Sequence, residues 1–479
     1  MKNKYFIILL TIYLIALAFG FYISFQNKYF NDEESYFNIR LIDHIRETGK
    51  PLLYDSLSYG GRPIIVPQLF HYVMALFSFI PFYLKIIPIV LLFSTIFIVY
   101  LISKEITGDE HASLLSALLS GFLPIYVTSI INRISVYSLL VPLIFFLFYC
   151  ILKLEDKRYL RLFLIGSFLL PFISSGSFLF ILALIFYIIL MISESFELSK
   201  LKKETLLFVF FLIFFINFLL FKKAFLTYGF NVIFGNVPKH LAYNYFADFS
   251  FLTYVYLIGI LNLILGAIGI FFGFFKEKKE SIILILGLIL STLFLLLLKF
   301  ITISTGIIFL SIGLTITSSL TLSFILKYIR ITKFYKIKDY VITFIILLIL
   351  VFSFIPSFNL VNYKRYNFND LEWLRDNTEE DSVILAPLGY GHLITGIAER
   401  KNVVDTNFLL ANEPDERLRD IEVIYKTWLS TKALESIKEY KINYIYVSEN
   451  NEYQIEDLSY AKDEKCFNKV REKIYKVVC

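Results

Sequence analysis

Long apolar runs joined by short basic connections dominate this sequence and leave it few folds to choose from. A bilayer core of about 30 Å is crossed by about 20 residues of α-helix. Runs of that order lie near 6–25, 86–103, 112–130, 136–152, 160–175, 177–193, 205–221, 251–275, 281–298, 303–326 and 340–356. The chain is 57% hydrophobic and 18% charged, against about 45–50% and about 25% in soluble domains, so it carries more apolar surface than a water-facing fold can hide. A secreted soluble enzyme, a nucleic-acid binder and a disordered scaffold are excluded on that ground. What remains is a polytopic α-helical membrane protein of about eleven transmembrane helices.

One further apolar stretch, 64–80, decides the topology. It is bounded by Pro63, Pro67 and Pro81 and contains Gln68 and His71. If it does not cross, Lys104, Lys153, Lys157, Lys202, Lys203, Lys279, Arg330 and Lys338 fall on the same side as Lys2 and Lys4, whereas the opposite turns carry few basic residues: Arg133, Lys222, Lys223, Lys239 and Lys299. Short cytoplasmic loops are the Lys/Arg-rich ones. The expected arrangement is therefore a multi-pass protein of the cell membrane with a cytoplasmic N-terminus. Residues 26–85 and 357–479 lie outside, and 64–80 lies along the membrane surface. The Lys2-to-Lys4 start and the run behind it read as a retained first span rather than a cleaved signal, since no small-residue cleavage site precedes Gln26. The formal net charge of +6 belongs to the same pattern. The last 120 residues hold 17 Lys and Arg against 22 Asp and Glu, a balance of −5 that leaves +11 for the first 359. The basic excess reports topology, and nucleic acid is not an expected partner.

The chain reads as a transmembrane domain, 1–356, followed by an extracytoplasmic soluble domain, 357–479. In the latter, helices are expected at 368–378, 391–399, 413–427 and 430–440, and strands at 382–386 and 442–448. Strands alternating with helices make a small α/β domain. Cys150 falls inside the fourth span as packing, while Cys466 and Cys479 both fall in the outer domain. There they either pair on an oxidising face or stay free.

The residues most open to chemistry follow the first span. Asp32, Glu33 and Glu34 are consecutive, and an amphipathic helix pattern follows, with Tyr36 and Phe37, Leu41 and Ile45 at helical spacing and a stop at Gly49-Lys50-Pro51. Acids at a first helical turn complement the helix dipole, which is the plain reading. The functional one is that carboxylates at a membrane surface deprotonate an acceptor or hold a divalent cation. Arg133, beside Asn132, and Lys299 each stand alone in apolar context at outer helix ends. They either bind an anion there or snorkel to the surface. Residues 222–250, with Lys239, His240, Tyr243, Tyr245 and Asp248, form either a lid or a solvated connector.

The run Asp32-Glu33, then Tyr36-Phe37-Asn38-Ile39-Arg40, then Ile45 to Gly49 with Pro51, resembles the first outer loop of the C-type (GT-C) membrane glycosyltransferases, and most of all the catalytic subunit of oligosaccharyltransferases. Pro67 to Tyr72 is similar to the surface helix of that loop. Residues Gly389 to Ile394, Ala398 to Lys401 and Val404 to Asn407 resemble the stretch around the family's WWDYG motif. Pro387, Leu388 and Gly389 replace its two tryptophans and aspartate, and only Tyr390 and Gly391 remain. The second acidic motif is missing too: the turn Asn132 to Ser138 carries no carboxylate.

The resemblance implies an enzyme that transfers a sugar or oligosaccharide from a polyprenyl-phosphate or polyprenyl-diphosphate carrier to a protein or glycan acceptor at the outer face of the bilayer. It implies Asp32, Glu33 and Glu34 as catalytic residues, with Asp32 also the metal ligand if Mg2+ or Mn2+ is the cofactor. Arg133, Asn132, Lys299, His240, Tyr390 and His392 would bind substrate. Two rivals stand beside it: a monosaccharide transferase of the protein-mannosyltransferase kind, which the missing second motif favours, and a non-catalytic subunit of an envelope glycan assembly pathway. A transporter is disfavoured because the runs show no paired broken helices.

Overall fold

A computed structural model describes residues 2–229, 232, 250–277, 279–361, 366–448, 458–462 and 465–479. The chain separates into two compact units. One comprises Met1–Lys28, Pro67–Leu220 and Ser250–Asn362, the other Tyr29–Val66, Phe221–Phe249 and Tyr363–Cys479.

The first unit is helical, and every apolar run expected to span forms helix within it. Among the described residues, seven helices are long and apolar enough to cross a membrane, and an eighth candidate is a bent pair. The remaining expected spans are the shorter helices Lys157–Ile173, Tyr137–Leu152 and Ser177–Ser193. The stretch 64–80 contains only the short helix Leu69–Leu76, at about 1.5 Å per residue far short of a bilayer core.

The basic connections meet at one end of this unit. Lys104 pairs with Glu110 and Lys153 with Glu105, both at 2.6 Å, Arg330 with Asp109 at 2.9 Å and Lys202 with Glu280 at 2.7 Å. Lys279 Nζ donates to the Ile106 carbonyl at 2.9 Å. Tyr5 stands edge-on to His111, with ring centroids 5.5 Å apart, which brings the start of the chain to the same end. An even number of crossings between Tyr5 and His111 satisfies that contact, and a crossing at 64–80 would break it.

The unit does contain broken helices, against the sequence expectation. Phe251–Ile258 and Ile260–Phe275 bend by 79° at Gly259, whose φ of +88° suits a residue without a Cβ. A second break separates Glu110–Gly121 from Pro124–Ser129, where Pro124 cannot donate its missing N–H to a continuing helix. Around Gly266 and Gly269 the Ile260–Phe272 helix lies against Ile303–Ile331 so closely that a Cβ on Gly269 would come within 1.9 Å of the Thr317 carbonyl oxygen. Asn262 Nδ2 donates to the Ser311 carbonyl at 2.8 Å and Thr321 Oγ1 to the Leu265 carbonyl at 2.7 Å, two hydrogen bonds that cross this seam.

Among the described residues, the second unit carries two sheets. β1 (Tyr54–Asp55) and β2 (Arg62–Pro63) form an antiparallel pair. β3 (Val383–Leu385), β4 (Lys401–Asn402), β5 (Tyr444–Tyr446), β6 (Phe467–Arg471) and β7 (Ile474–Val477) form a five-stranded sheet in the order β4-β3-β5-β7-β6, parallel across β4, β3 and β5 and antiparallel beyond. Helices Phe368–Asn377, Gly391–Gly396, Pro414–Lys426 and Ser430–Glu439 fall where the sequence placed them. Leu385, Ile421, Ile424, Ala433 and Ile445 are fully buried in its core, together with Tyr59 from the segment that follows the first long helix. The hairpin β6–β7 and strand β4 go beyond the sequence reading. Cys466 and Cys479 are joined in a disulfide that ties the two ends of the hairpin together, and Cys150 is free and buried.

Candidate active site

The acidic turn lies in the second unit. Glu33 precedes the helix Glu34–Thr48, which ends at Gly49 in a left-handed conformation with φ of 70° and an N–H bonded to the Ile45 carbonyl. Phe37, Leu41, Ile42 and Ile45 are buried along one face, worth about 1.5–3 kcal/mol each, and the acids are left at the N-terminal end. Asp32 and Glu33 are half-buried and Glu34 is exposed. Ser35 Oγ donates to Asp32 Oδ1, which holds one carboxylate oxygen in place. The Phe30 N–H donates to the Tyr36 hydroxyl at 3.2 Å. Burial pushes the Tyr36 phenol well above its ordinary range, and the nearby Asp32 charge adds to the rise.

This helix rests on the segment that resembles the WWDYG region. The Phe37 and His392 rings stand 4.9 Å apart, and a Cβ on Gly396 would fall 2.9 Å from Tyr36 Cβ. Tyr390 is buried between Tyr366 and Tyr446, with centroids 5.2 and 5.3 Å away. Gly391 is required by close approach, since a Cβ there would meet the Val404 carbonyl oxygen at 2.2 Å.

At the centre is Asp405, with a side chain 1% exposed. Its Oδ1 accepts from Arg62 Nη2 at 2.9 Å and the Asn407 N–H at 3.0 Å, its Oδ2 from Ser58 Oγ at 2.6 Å and Asn402 Nδ2 at 3.1 Å. Burial alone would raise the Asp405 carboxyl, but the Arg62 guanidinium and the Ser58 and Asn402 hydrogen bonds outweigh it and hold it below the usual carboxylate range. His392 Nε2 is 3.8 Å from Asp405 Oδ1. Burial lowers the His392 pKa, and the Arg62 and Arg40 guanidiniums lower it further against the pull of Asp405. The imidazole is accordingly neutral, and Arg62 is the charge that balances Asp405. Arg40 makes a second pair, bidentate to Asp55 at 2.9 and 2.7 Å.

Within the second unit, then, the structure gathers the Asp32–Glu34 turn, Tyr390 and His392 onto neighbouring elements, with His392 buried in a protein-lined position. His240 lies outside the described residues, as do Lys239, Tyr243, Tyr245 and Asp248. Sequence reasoning missed Arg62 and Tyr59, and it named Arg40 only within the run that carries the resemblance, with no role of its own. The signal for Arg62 was its placement after the Gly60-Gly61 turn, a charged residue closing a loop with a following Pro63.

Asn132, Arg133 and Lys299 belong to the first unit. Asn132 is buried with φ of 56°, and Lys299 is exposed with φ of 59°. Such left-handed conformations are costly for residues other than Gly and Asn. Asn132 and Arg133 lie just before the helix Tyr137–Leu152, and Lys299 just before Ile303–Ile331, and Thr305 Oγ1 donates to the Tyr137 hydroxyl at 2.8 Å. The structure thus brings the turns carrying Arg133 and Lys299 to one end of this unit, beside two helix N-termini whose dipoles favour an anion.

The expected cation finds no matching donor set. Among the described residues, no group of three His, Cys, Asp or Glu side chains is gathered closely enough to hold a metal ion, and hard divalent cations take six or more oxygen ligands, several from carboxylates.

No protein-family model matches the sequence, and no curated protein sequence aligns with it significantly. Solved structures do match the fold. The archaeal oligosaccharyltransferase AglB from Archaeoglobus fulgidus, in complex with an inhibitory peptide and a dolichol-phosphate, superposes with a TM-score of 0.69 at 12% identity over 90% of this chain and 69% of its own. The same organism's oligosaccharyltransferase tethered to an acceptor peptide containing the NVT sequon gives 0.68 at 14% identity, over 91% and 69%. ArnT from Cupriavidus metallidurans, bound to undecaprenyl phosphate, gives 0.57 at 8% identity over 93% of this chain and 94% of its own. The chain therefore has the GT-C fold, a polytopic helical membrane domain with a C-terminal domain, shared with membrane glycosyltransferases.

Proposed function

We propose that this protein is a membrane glycosyltransferase that moves a sugar or oligosaccharide from a polyprenyl-phosphate or polyprenyl-diphosphate carrier to an acceptor, protein or glycan, on the outer face of the cell membrane. The observation that carries the reading is the acidic turn itself: consecutive carboxylates held at the start of a buried helix, directly after the first span, in a fold whose solved neighbours include complexes with dolichol-phosphate and undecaprenyl phosphate. In this reading an Asp32 carboxylate oxygen takes the proton from the acceptor's O–H or N–H. The acceptor atom forms a bond to the anomeric carbon, the bond from that carbon to the carrier's phosphate oxygen breaks, and the lipid phosphate leaves with the electron pair. Glu33 and Glu34 add negative charge beside the acceptor. Arg133 and Lys299, with Asn132 donating a hydrogen bond, hold the phosphate. The cytoplasmic side is the end where the Lys104, Lys153, Lys279 and Arg330 connections meet, and the disulfide-bearing domain faces the oxidising side.

A single-sugar transfer is a second reading with an observation of its own. The ArnT match spans nearly the whole of both chains, and among the described residues no group of three His, Cys, Asp or Glu side chains is gathered closely enough to hold a cation. No step is routed through a metal here. Mass spectrometry of lipid-linked sugars and surface glycans, with and without the gene, tests the function: loss of one glycan and accumulation of its lipid-linked precursor are expected, and unchanged profiles of both would overturn it. Transfer that persists under chelation would favour the single-sugar reading, and transfer that stops would favour the oligosaccharyltransferase-like one.

A further inference from the structure

The helix that begins at the acidic turn is connected to the C-terminal part of the same unit by two buried ion pairs in series. Arg40, on that helix, is bidentate to Asp55 on β1, whose side chain is 1% exposed. β1 pairs with β2, which begins at Arg62. Arg62 is then anchored with each guanidinium nitrogen in use: Nε donates to Ser58 Oγ at 2.8 Å, Nη2 to Asp405 Oδ1 at 2.9 Å, and Nη1 to the Asn407 carbonyl and, at 3.2 Å, to the Leu409 carbonyl. Around it the turn adds backbone contacts. The Asn402 N–H donates to the Leu57 carbonyl at 2.8 Å, the Tyr59 N–H to Asn402 Oδ1 at 3.0 Å and the Tyr59 hydroxyl to the Asp405 carbonyl at 2.7 Å.

Packing alone is a poor way to fix this turn. Gly60 and Gly61 adopt φ of +78° and +104°, and two glycines leave a loop with the greatest conformational freedom to lose. A buried, fully hydrogen-bonded Arg in a planar fork supplies the directional constraint that such a loop lacks. Buried ion pairs of this kind add little net stability over an apolar replacement, but in some proteins they specify one geometry.

We infer that Arg62 and Asp405 are positioning residues for the acidic turn: with Arg40–Asp55 as the strut, they fix the Glu34–Thr48 helix, and so Asp32, against residues 391–409. The catalytic consequence rests on Asp32 being the group that activates the acceptor, while the positioning itself does not.

The test measures distance and turnover separately on the full-length protein. Spin labels are placed by Glu47→Cys, at the exposed end of the acidic helix, and Lys432→Cys, on the exposed face of Ser430–Glu439. Cys150 is buried and Cys466 is bonded to Cys479, so only the introduced thiols are labelled. One narrow electron–electron distance distribution is expected in the parent, and a distinctly broader one in Arg62→Lys and Asp405→Asn. Tryptophan emission and circular dichroism at the temperature of measurement show that both variants are folded. Transfer should fall between about 10- and 100-fold in kcat, as a misplacement of about 1 Å costs, with KM for the lipid-linked donor changed less than about twofold, and Arg62→Lys should retain more activity than Arg62→Met. Distributions as narrow as the parent's in both variants would overturn the inference. Broad distributions with unchanged kcat would leave the positioning intact and remove the acidic turn from the reaction.

Discussion

The Arg62–Asp405 pair also sets a quantitative expectation for stability, tested with Arg62→Met, Asp405→Asn and the two combined. Both side chains are 1% exposed. Arg62→Met leaves an ionised carboxylate in a buried site with only the neutral donors of Ser58, Asn402 and Asn407, and Asp405→Asn leaves a buried guanidinium opposite an amide. Breaking a buried pair from one side costs about 3–5 kcal/mol. In a unit of this size 1 kcal/mol moves the midpoint by about 2–4 °C, so each single variant should melt about 6–20 °C lower. The double variant holds no stranded charge, and its loss should fall short of the sum of the singles by about 2 kcal/mol. The chain's two tryptophans, Trp373 and Trp428, both lie in the second unit, so tryptophan emission during a thermal ramp in detergent reports this unit and not the helical one. Strict additivity of the two losses, or single variants within about 1 °C of the parent, would refute the claim that these charges balance each other.

Three further outcomes are expected. Gly391→Ala should lower the same melting transition by about 1–3 kcal/mol or more, because the added methyl meets the backbone of Val404 and Asp405 rather than a side chain that can turn away; a melting curve matching the parent's would contradict that packing. Replacing Cys466 and Cys479 by Ser, which opens a loop with a sequence separation of 13, should cost about 3 kcal/mol of hairpin stability on the chain-entropy account, read as faster proteolysis between 466 and 479. Finally, His392 is neutral in the folded unit and protonates more readily once unfolded, so stability should fall as pH drops below the unfolded value of about 6.5, by up to about 1.4 kcal/mol per pH unit. Asp405, held below its ordinary value, contributes stability that is lost only below about pH 3.9. His392→Gln should remove the first limb and leave the second, and a parent melting temperature flat between pH 6.5 and 5 would contradict the neutral assignment.

Much of the membrane part was legible because lipid imposes simple rules on sequence. Apolar length marked the helices, and the distribution of Lys and Arg singled out 64–80 as the stretch that does not cross, a conclusion the Tyr5–His111 contact supports independently. The breaks at Gly259 and Pro124 were not legible, since a residue that bends one helix is tolerated straight in another. In the second unit the periodic helices and the two apolar strands were readable locally. The hairpin β6–β7 was not, because its turn around Glu472 and Lys473 lacks the Gly or Asn that signals one. For the site, the acidic turn and the segment 389–407 stood out by resemblance, but the joint between them depends on Arg62 and Asp405, 343 residues apart. No periodicity encodes a pairing over that separation. Asp405 lies in the segment that the resemblance marks, and nothing in the sequence around Arg62 marks it as the partner.

The most direct test of the account is the transfer activity of Asp32→Asn, measured as consumption of lipid-linked sugar in native membranes with the tryptophan melting curve as the control for folding. The amide keeps the size of the side chain and the bond from Ser35 but cannot take a proton. The account predicts a fall of about 10²- to 10⁴-fold in kcat, the contribution of a general base, with the melting curve unchanged. Asp32→Asn turning over lipid-linked sugar at the parent rate would contradict it.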